Sequence, residues 1–229
     1  MKNAFTLIEL LVVAAVIVIL AGILVPTIGM IRKQAKEIEC QSNLSEIGKG
    51  IIAWRADHGN NLPGKISYLY SGPSDPLYGT STKLFLCPFD KNNGGDQFMG
   101  RPPNSSWGDL SYLYESSSVS VKNSSYCYEA SEAKLDDNAY NWFFGTNTGN
   151  ITSPPKTWLD GKAYQLTHGT GRLPVAGNPF SVSDMPILRC YCHLDWSKEP
   201  WDTKQKKVLN LAWDQRIFWS IPTWEYQAP

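Results

Sequence analysis

The stretch AFTLIELLVVAAVIVILAGILVPTIGM, residues 4–30, decides how this chain is organised. From Leu10 to Met30 no side chain carries a charge, a run of 21 residues. As a helix rising about 1.5 Å per residue it covers roughly 30 Å, the hydrocarbon thickness of a bilayer. A secretory signal has a shorter apolar region, about 7–15 residues, closed by a small-residue cleavage site. This run is longer and continues into a helical pattern, so a spanning helix is expected. Glu9 sits against that expectation, because a carboxylate at the start of a membrane helix carries a desolvation cost. The positive end of the helix dipole offsets part of it.

Ala4-Phe5-Thr6-Leu7-Ile8-Glu9-Leu10, the apolar residues through Val25 and the proline at position 26 resemble the N-terminus of type IV prepilins and type II secretion pseudopilins. The resemblance implies that a prepilin peptidase cuts between Ala4 and Phe5 and that the new amine of Phe5 is methylated. It implies a filament subunit whose partners are other pilin or pseudopilin subunits and the inner membrane. The N-terminus would be cytoplasmic and the body periplasmic. Charge counting alone points the other way, since Lys2 precedes the span while Arg32, Lys33 and Lys36 follow it. The implied chemistry gives Glu9 a role: its carboxylate can pair with the ammonium of Phe5 on a neighbouring subunit, an attraction that is strong in low dielectric. That amine exists only after cleavage, so processing would switch assembly on.

Helical spacing continues beyond the span. Ile28, Ile31, Ala35 and Ile38 trace one stripe, and Cys40, Leu44, Ile47, Ile51 and Trp54 trace another. The two lie roughly 160° apart on one helix. Either two packing partners are needed, neighbouring subunits and the chain's own body, or the helix breaks near Gln41-Ser42. Pro26 predicts a kink or local melting. Gly48 and Gly50 weaken the helix, so packing must support it. Gly59-Asn60-Asn61, with Pro63-Gly64 behind them, predict its end. Cys40-Gln41-Ser42-Asn43-Leu44, Ile47-Gly48, Trp54, Asp57-His58-Gly59 and Leu62-Pro63 are similar to a pilin-like family abundant in planctomycetes. That family often closes with a His, a spacer and an Asp-Gly turn. Here His193 and Asp214-Gln215 stand in looser correspondence.

The remainder reads as short strands between turn-rich segments: Lys83–Cys87, Ser111–Tyr114, Tyr140–Phe144, Pro186–Cys192, Val208–Ala212 and Arg216–Ser220. Turn residues crowd Lys91–Asn104, Thr146–Pro155 and His168–Pro179. Asp214-Gln215 predicts a hairpin, with a looser loop than a two-residue turn because Gln215 stands where Gly is preferred. The expected fold is α+β and pilin-like, a long N-terminal helix packed on an antiparallel sheet with loop-rich insertions. Its expected divisions are a leader 1–4, a membrane and filament-core helix 5–30, a helical extension 31–59 and a globular domain 60–229.

Twenty-one basic and 21 acidic residues cancel, so bulk charge suggests no nucleic-acid partner. An odd cysteine count, Cys40, Cys87, Cys127, Cys190 and Cys192, leaves at least one thiol without an intrachain partner. Cys190-Tyr191-Cys192-His193 invites a zinc reading, yet C-x-C-H lacks the second ligand pair of a strong signal. A disulfide from Cys87 to Cys190 or Cys192 is favoured over zinc, and no metal or cofactor is expected. No H-E-x-x-H, G-x-S-x-G or phosphate-cradling loop occurs, which argues against an enzyme. An anchored hydrolase would need His168 or His193 beside a Cys, Asp or Glu in a pocket. A tethered or filament-tip module binding carbohydrate or secreted cargo would need exposed, coplanar tryptophans. A pilus or pseudopilus subunit is the reading these residues favour.

Overall fold

The apolar run and the two stripes behind it form one helix, α1, Leu7–Asp57, in the computed structural model of the chain. The structure describes residues 6–69, 78, 81–90, 124–132, 156–169, 179–194 and 208–221. The expected strands Ser111–Tyr114 and Tyr140–Phe144, and the loops Lys91–Asn104 and Thr146–Pro155, lie outside them. Two compact units divide the chain at Glu39/Cys40.

In the first unit the described side chains of Leu7 to Leu24 are exposed. Among the described residues none covers them, an exposure that a helix facing lipid or other subunits would show. Of the kink or local melting expected at Pro26, melting does not occur: α1 runs through it unbroken. Next to the proline, Thr27 Oγ1 donates to the Leu24 carbonyl at 2.8 Å. Ile28, Ile31 and Ile38 are 42, 60 and 66 % exposed.

The second unit begins where the other stripe does. Cys40, Leu44, Ile47 and Ile51 have no exposed surface, and no break occurs at Gln41-Ser42. They pack in one core with Phe85, Tyr126, Tyr128, Ile187, Leu188, Leu209 and Leu211. Gly48 lies on this face because a Cβ there would stand 2.3 Å from Gln215 Oε1 and 3.4 Å from the Leu211 methyls. After Asp57 the chain leaves the helix through Gly59 (φ 62°) and Asn60 (φ 68°), with Asn60 N donating back to the Arg55 carbonyl at 2.8 Å.

Among the described residues four antiparallel strands follow in the order β1 (Cys127–Tyr128), β2 (Pro186–Cys190), β3 (Val208–Ala212) and β4 (Ile217–Ser220). β3 has the expected bounds, while β2 ends two residues before the expected Cys192. The β3–β4 loop is Trp213-Asp214-Gln215. Gln215 N donates to the Ala212 carbonyl at 3.0 Å, and Ala212 N to the Arg216 carbonyl at 2.7 Å. Gln215 adopts φ 75°, so it fills the left-handed position of a three-residue hairpin loop. Lys83–Cys87 is not a strand: Thr82–Phe85 forms a 3-10 turn, capped by Ser81. A second helix, α2 (Trp158–His168), was not expected. Thr157 and Asp160 form its capping box, with reciprocal bonds of 3.1 Å.

Both faces of β2 and β3 are buried. One face enters the core through Leu188, Cys190, Leu209 and Leu211. On the other, Arg189 donates to Asn210 Oδ1 at 2.9 Å and to Glu129 Oε1 at 3.0 Å. Lys162 of α2 reaches Glu129 Oε2 at 2.5 Å. Burial raises the Glu129 pKa, but Lys162 and then Arg189 outweigh it and hold the carboxyl below its usual 4.5. Its contribution to stability is therefore complete above about pH 4.5 and lost as pH falls through the depressed folded value. Urea midpoints of the detergent-solubilised chain, followed by tryptophan fluorescence, should drop on acidification below that point. Glu129→Gln removes the carboxylate that the buried Lys162 and Arg189 share and should cost about 3–5 kcal/mol at neutral pH while flattening the acid dependence.

Candidate functional site

Among the described residues two places carry chemistry, the N-terminus of α1 and a group of thiols in the second unit. At the first, Thr6 N and Thr6 Oγ1 both donate to Glu9 Oε2, at 2.8 and 2.7 Å, and Glu9 N faces Thr6 Oγ1 at 3.4 Å. This is a capping box. Thr6-x-x-Glu9 is its sequence signature, legible in the chain but not read there. The carboxylate thus satisfies donors of the first turn and stays at the positive end of the dipole. Ala4 and Phe5, the expected processing pair, lie outside the described residues.

At the second place, four segments distant in sequence converge. Cys40 comes from the buried stripe of α1. Cys87 follows the 3-10 turn, where Asn43 Nδ2 donates to the Leu86 carbonyl at 3.2 Å and sets the loop against the helix. Cys190 is the last residue of β2, and His193 lies in the turn after it, which Leu194 N closes on the Tyr191 carbonyl at 3.1 Å. Cys87 Sγ lies 3.7 Å from Cys40 Sγ and 3.9 Å from His193 Nε2. The donor atoms of Cys40, Cys87, Cys190 and His193 all fall within 4.8 Å of one another. Contacts from the thiols of Cys190, Cys192 and Cys40 hold the Cys87 pKa below the ordinary thiol value, against burial. Burial, above all, pushes Cys190 up.

The surroundings orient the group. Tyr126 Oη lies 3.7 Å from Cys40 Sγ. Phe89 and Trp219 flank the His193 ring, with centroids 4.6 and 5.1 Å away. Cys192 Sγ donates to the Ser125 carbonyl at 3.8 Å. Asp90 Oδ2 accepts from Ser125 Oγ at 2.6 Å, and Asp90 N closes the turn on the Cys87 carbonyl at 2.9 Å.

The structure brings together Cys87, Cys190, Cys192 and His193, and adds Cys40, which the sequence reading had left with the core. No sulfur–sulfur bond joins Cys87 to Cys190 or Cys192. Cys127 stands on β1, paired with Arg189. The signal for Cys40 was its place at the head of the inward stripe, which aims its sulfur at the body.

His168 is not part of the group. It is exposed, stacked on Tyr164 with centroids 4.3 Å apart and bonded to Thr167 Oγ1 at 2.6 Å. His193 does meet a cysteine, the buried Cys87. Among the described residues no tryptophan is exposed: Trp158 is buried, and Trp54, Trp213 and Trp219 are half-buried. Trp107, Trp142, Trp196, Trp201 and Trp224 lie outside them.

Residues 1–25 match the family described as Prokaryotic N-terminal methylation motif. No curated protein and no solved structure matches the chain. Behind the motif, α1 is long and apolar enough to cross a membrane, and an antiparallel four-stranded sheet completes an α+β, pilin-like architecture. Motif and helix together indicate a prepilin-type pilin or pseudopilin, a substrate of prepilin peptidase fitted to an inner-membrane anchor.

Proposed function

We propose that the chain is a structural subunit of a pilus or type II secretion pseudopilus, released for assembly by cleavage between Ala4 and Phe5. The observation that carries this reading is the methylation motif at residues 1–25, continued by a helix whose described apolar side chains from Leu7 to Leu24 are exposed. Residues 1–4 are then the leader, 5–30 the membrane and filament-core helix, 31–59 its extension and 60–229 the globular domain. The body lies in the periplasm before assembly. Ile28, Ile31 and Ile38, exposed on the outer stripe, are surfaces for neighbouring subunits.

In this reading Glu9 has two successive partners. In the isolated chain Thr6 holds the carboxylate. In the filament the methylated ammonium of Phe5 on a neighbour takes it. Exchange replaces neutral donors with a charge in low dielectric, where the attraction is stronger. An uncleaved chain has no amine at Phe5 and cannot make the exchange.

Mass spectrometry of the N-terminal peptide from membrane or filament fractions should find Phe5 first and methylated. A chain that keeps Met1 in those fractions overturns the reading. Glu9→Ala should still be cleaved and membrane-inserted, but its incorporation into filaments should fall at least tenfold, corresponding to about 1.4 kcal/mol or more of lost docking energy. Wild-type incorporation of that variant would remove the proposed pairing while leaving the processing step standing.

A further inference from the structure

We propose that Cys40, Cys87, Cys190 and His193 form a closed zinc site that clamps the C-terminal half of α1 to β2 and to the Cys87 loop. Four donors, three sulfurs and one imidazole nitrogen, are a complete set for structural zinc, which takes thiolate and imidazole ligands in tetrahedral geometry. With Zn–S bonds of about 2.3 Å, two ligand sulfurs of a tetrahedron stand about 3.8 Å apart. Cys40 and Cys87 are 3.7 Å apart. A sulfur–nitrogen edge is about 3.5–3.6 Å, against 3.9 Å between Cys87 Sγ and His193 Nε2. The widest pair separation, within 4.8 Å, asks for a closure of roughly 1 Å.

A disulfide accounts for less of this arrangement. It needs sulfurs at about 2.05 Å, uses two of the four donors, and leaves a thiol and the imidazole together in a buried space. His193 Nδ1 is itself buried with no hydrogen-bond partner among the described residues. Its flanking rings, Phe89 and Trp219, aim Nε2 at the sulfurs. Tyr126 Oη, beside Cys40 Sγ, is placed to donate to a metal-bound thiolate. Cys192 is turned to the Ser125 carbonyl and stays outside the ligand set. With four protein ligands the ion has no open position, so its role is structural rather than catalytic. Binding exchanges each thiol proton for a metal bond, with no oxidation, and shields the sulfurs in an oxidising compartment.

The test uses the full chain in detergent, purified without chelator. Elemental analysis should find about one zinc per chain. Replacement by Co²⁺ should give the intense visible bands of a tetrahedral site with near-ultraviolet thiolate charge transfer. Cys190→Ser and His193→Ala should lose the zinc, whereas Cys127→Ser and Cys192→Ser keep it and the cobalt spectrum. Should the ligand variants fail to fold, the wild-type chain decides alone. Denatured in chelator without reductant, it should expose Cys40, Cys87 and Cys190 as alkylatable thiols. A disulfide among Cys40, Cys87 and Cys190, the absence of zinc, or iron or copper in its place overturns the proposal. The site does not rest on the N-terminal motif, so its failure would leave the filament reading intact.

Discussion

The main described core of the second unit is built against one stripe of α1. Cys40, Leu44, Ile47 and Ile51 recur at helical spacing and lose all exposure to the sheet and the loops around it. Fully burying each aliphatic side chain contributes about 1.5–3 kcal/mol before entropy is counted. A helix carrying two glycines in this stretch, Gly48 and Gly50, needs that support. Gly48 also serves the packing, because its missing Cβ admits the Gln215 side chain and the Leu211 methyls. The same helix presents uncovered apolar side chains from Leu7 to Leu24, so its two ends answer to different solvents.

Chemistry concentrates where that stripe begins. Cys40 is at once the first residue of the inward face and a neighbour of Cys87, Cys190 and His193. Its position ties the packing of the helix to the geometry of the sulfur group. The reverse face of the sheet carries a second polar cluster, in which Glu129 meets Lys162 of α2 and Arg189 of β2. Buried ions are costly unless each is matched, and here Asn210, Ser220 and the Ile221 carbonyl take the remaining Arg189 donors. The two clusters lie on opposite faces of β2, whose alternating Leu188, Arg189 and Cys190 send neighbours to opposite sides.

Local signals were legible where one segment decides its own fate. The apolar run, the stop at Gly59-Asn60, the strand Val208–Ala212 and its hairpin could be read directly, since period, length and turn chemistry act within a few residues. Thr6-x-x-Glu9 was equally local, but the charge of Glu9 drew attention away from its cap. Lys83–Cys87 misled because strand-like residues there are held by the Ser81 cap and by contacts with Ser125 and Asn43. α2 escaped because its buried face includes Gly161, Lys162 and Gln165 rather than an apolar stripe.

The sequence by itself determined the long apolar helix, its methylation-motif N-terminus, its two stripes and the antiparallel hairpin. Tertiary structure decided that the helix is continuous, that the inner stripe faces the sheet, and that four donors from Cys40 to His193 share one small volume. Cys40 and Cys87 are 47 residues apart, and Cys87 and His193 are 106 apart. No spacing rule spans such distances. Periodicity records which way a side chain points on its own element, whereas convergence depends on how the elements pack.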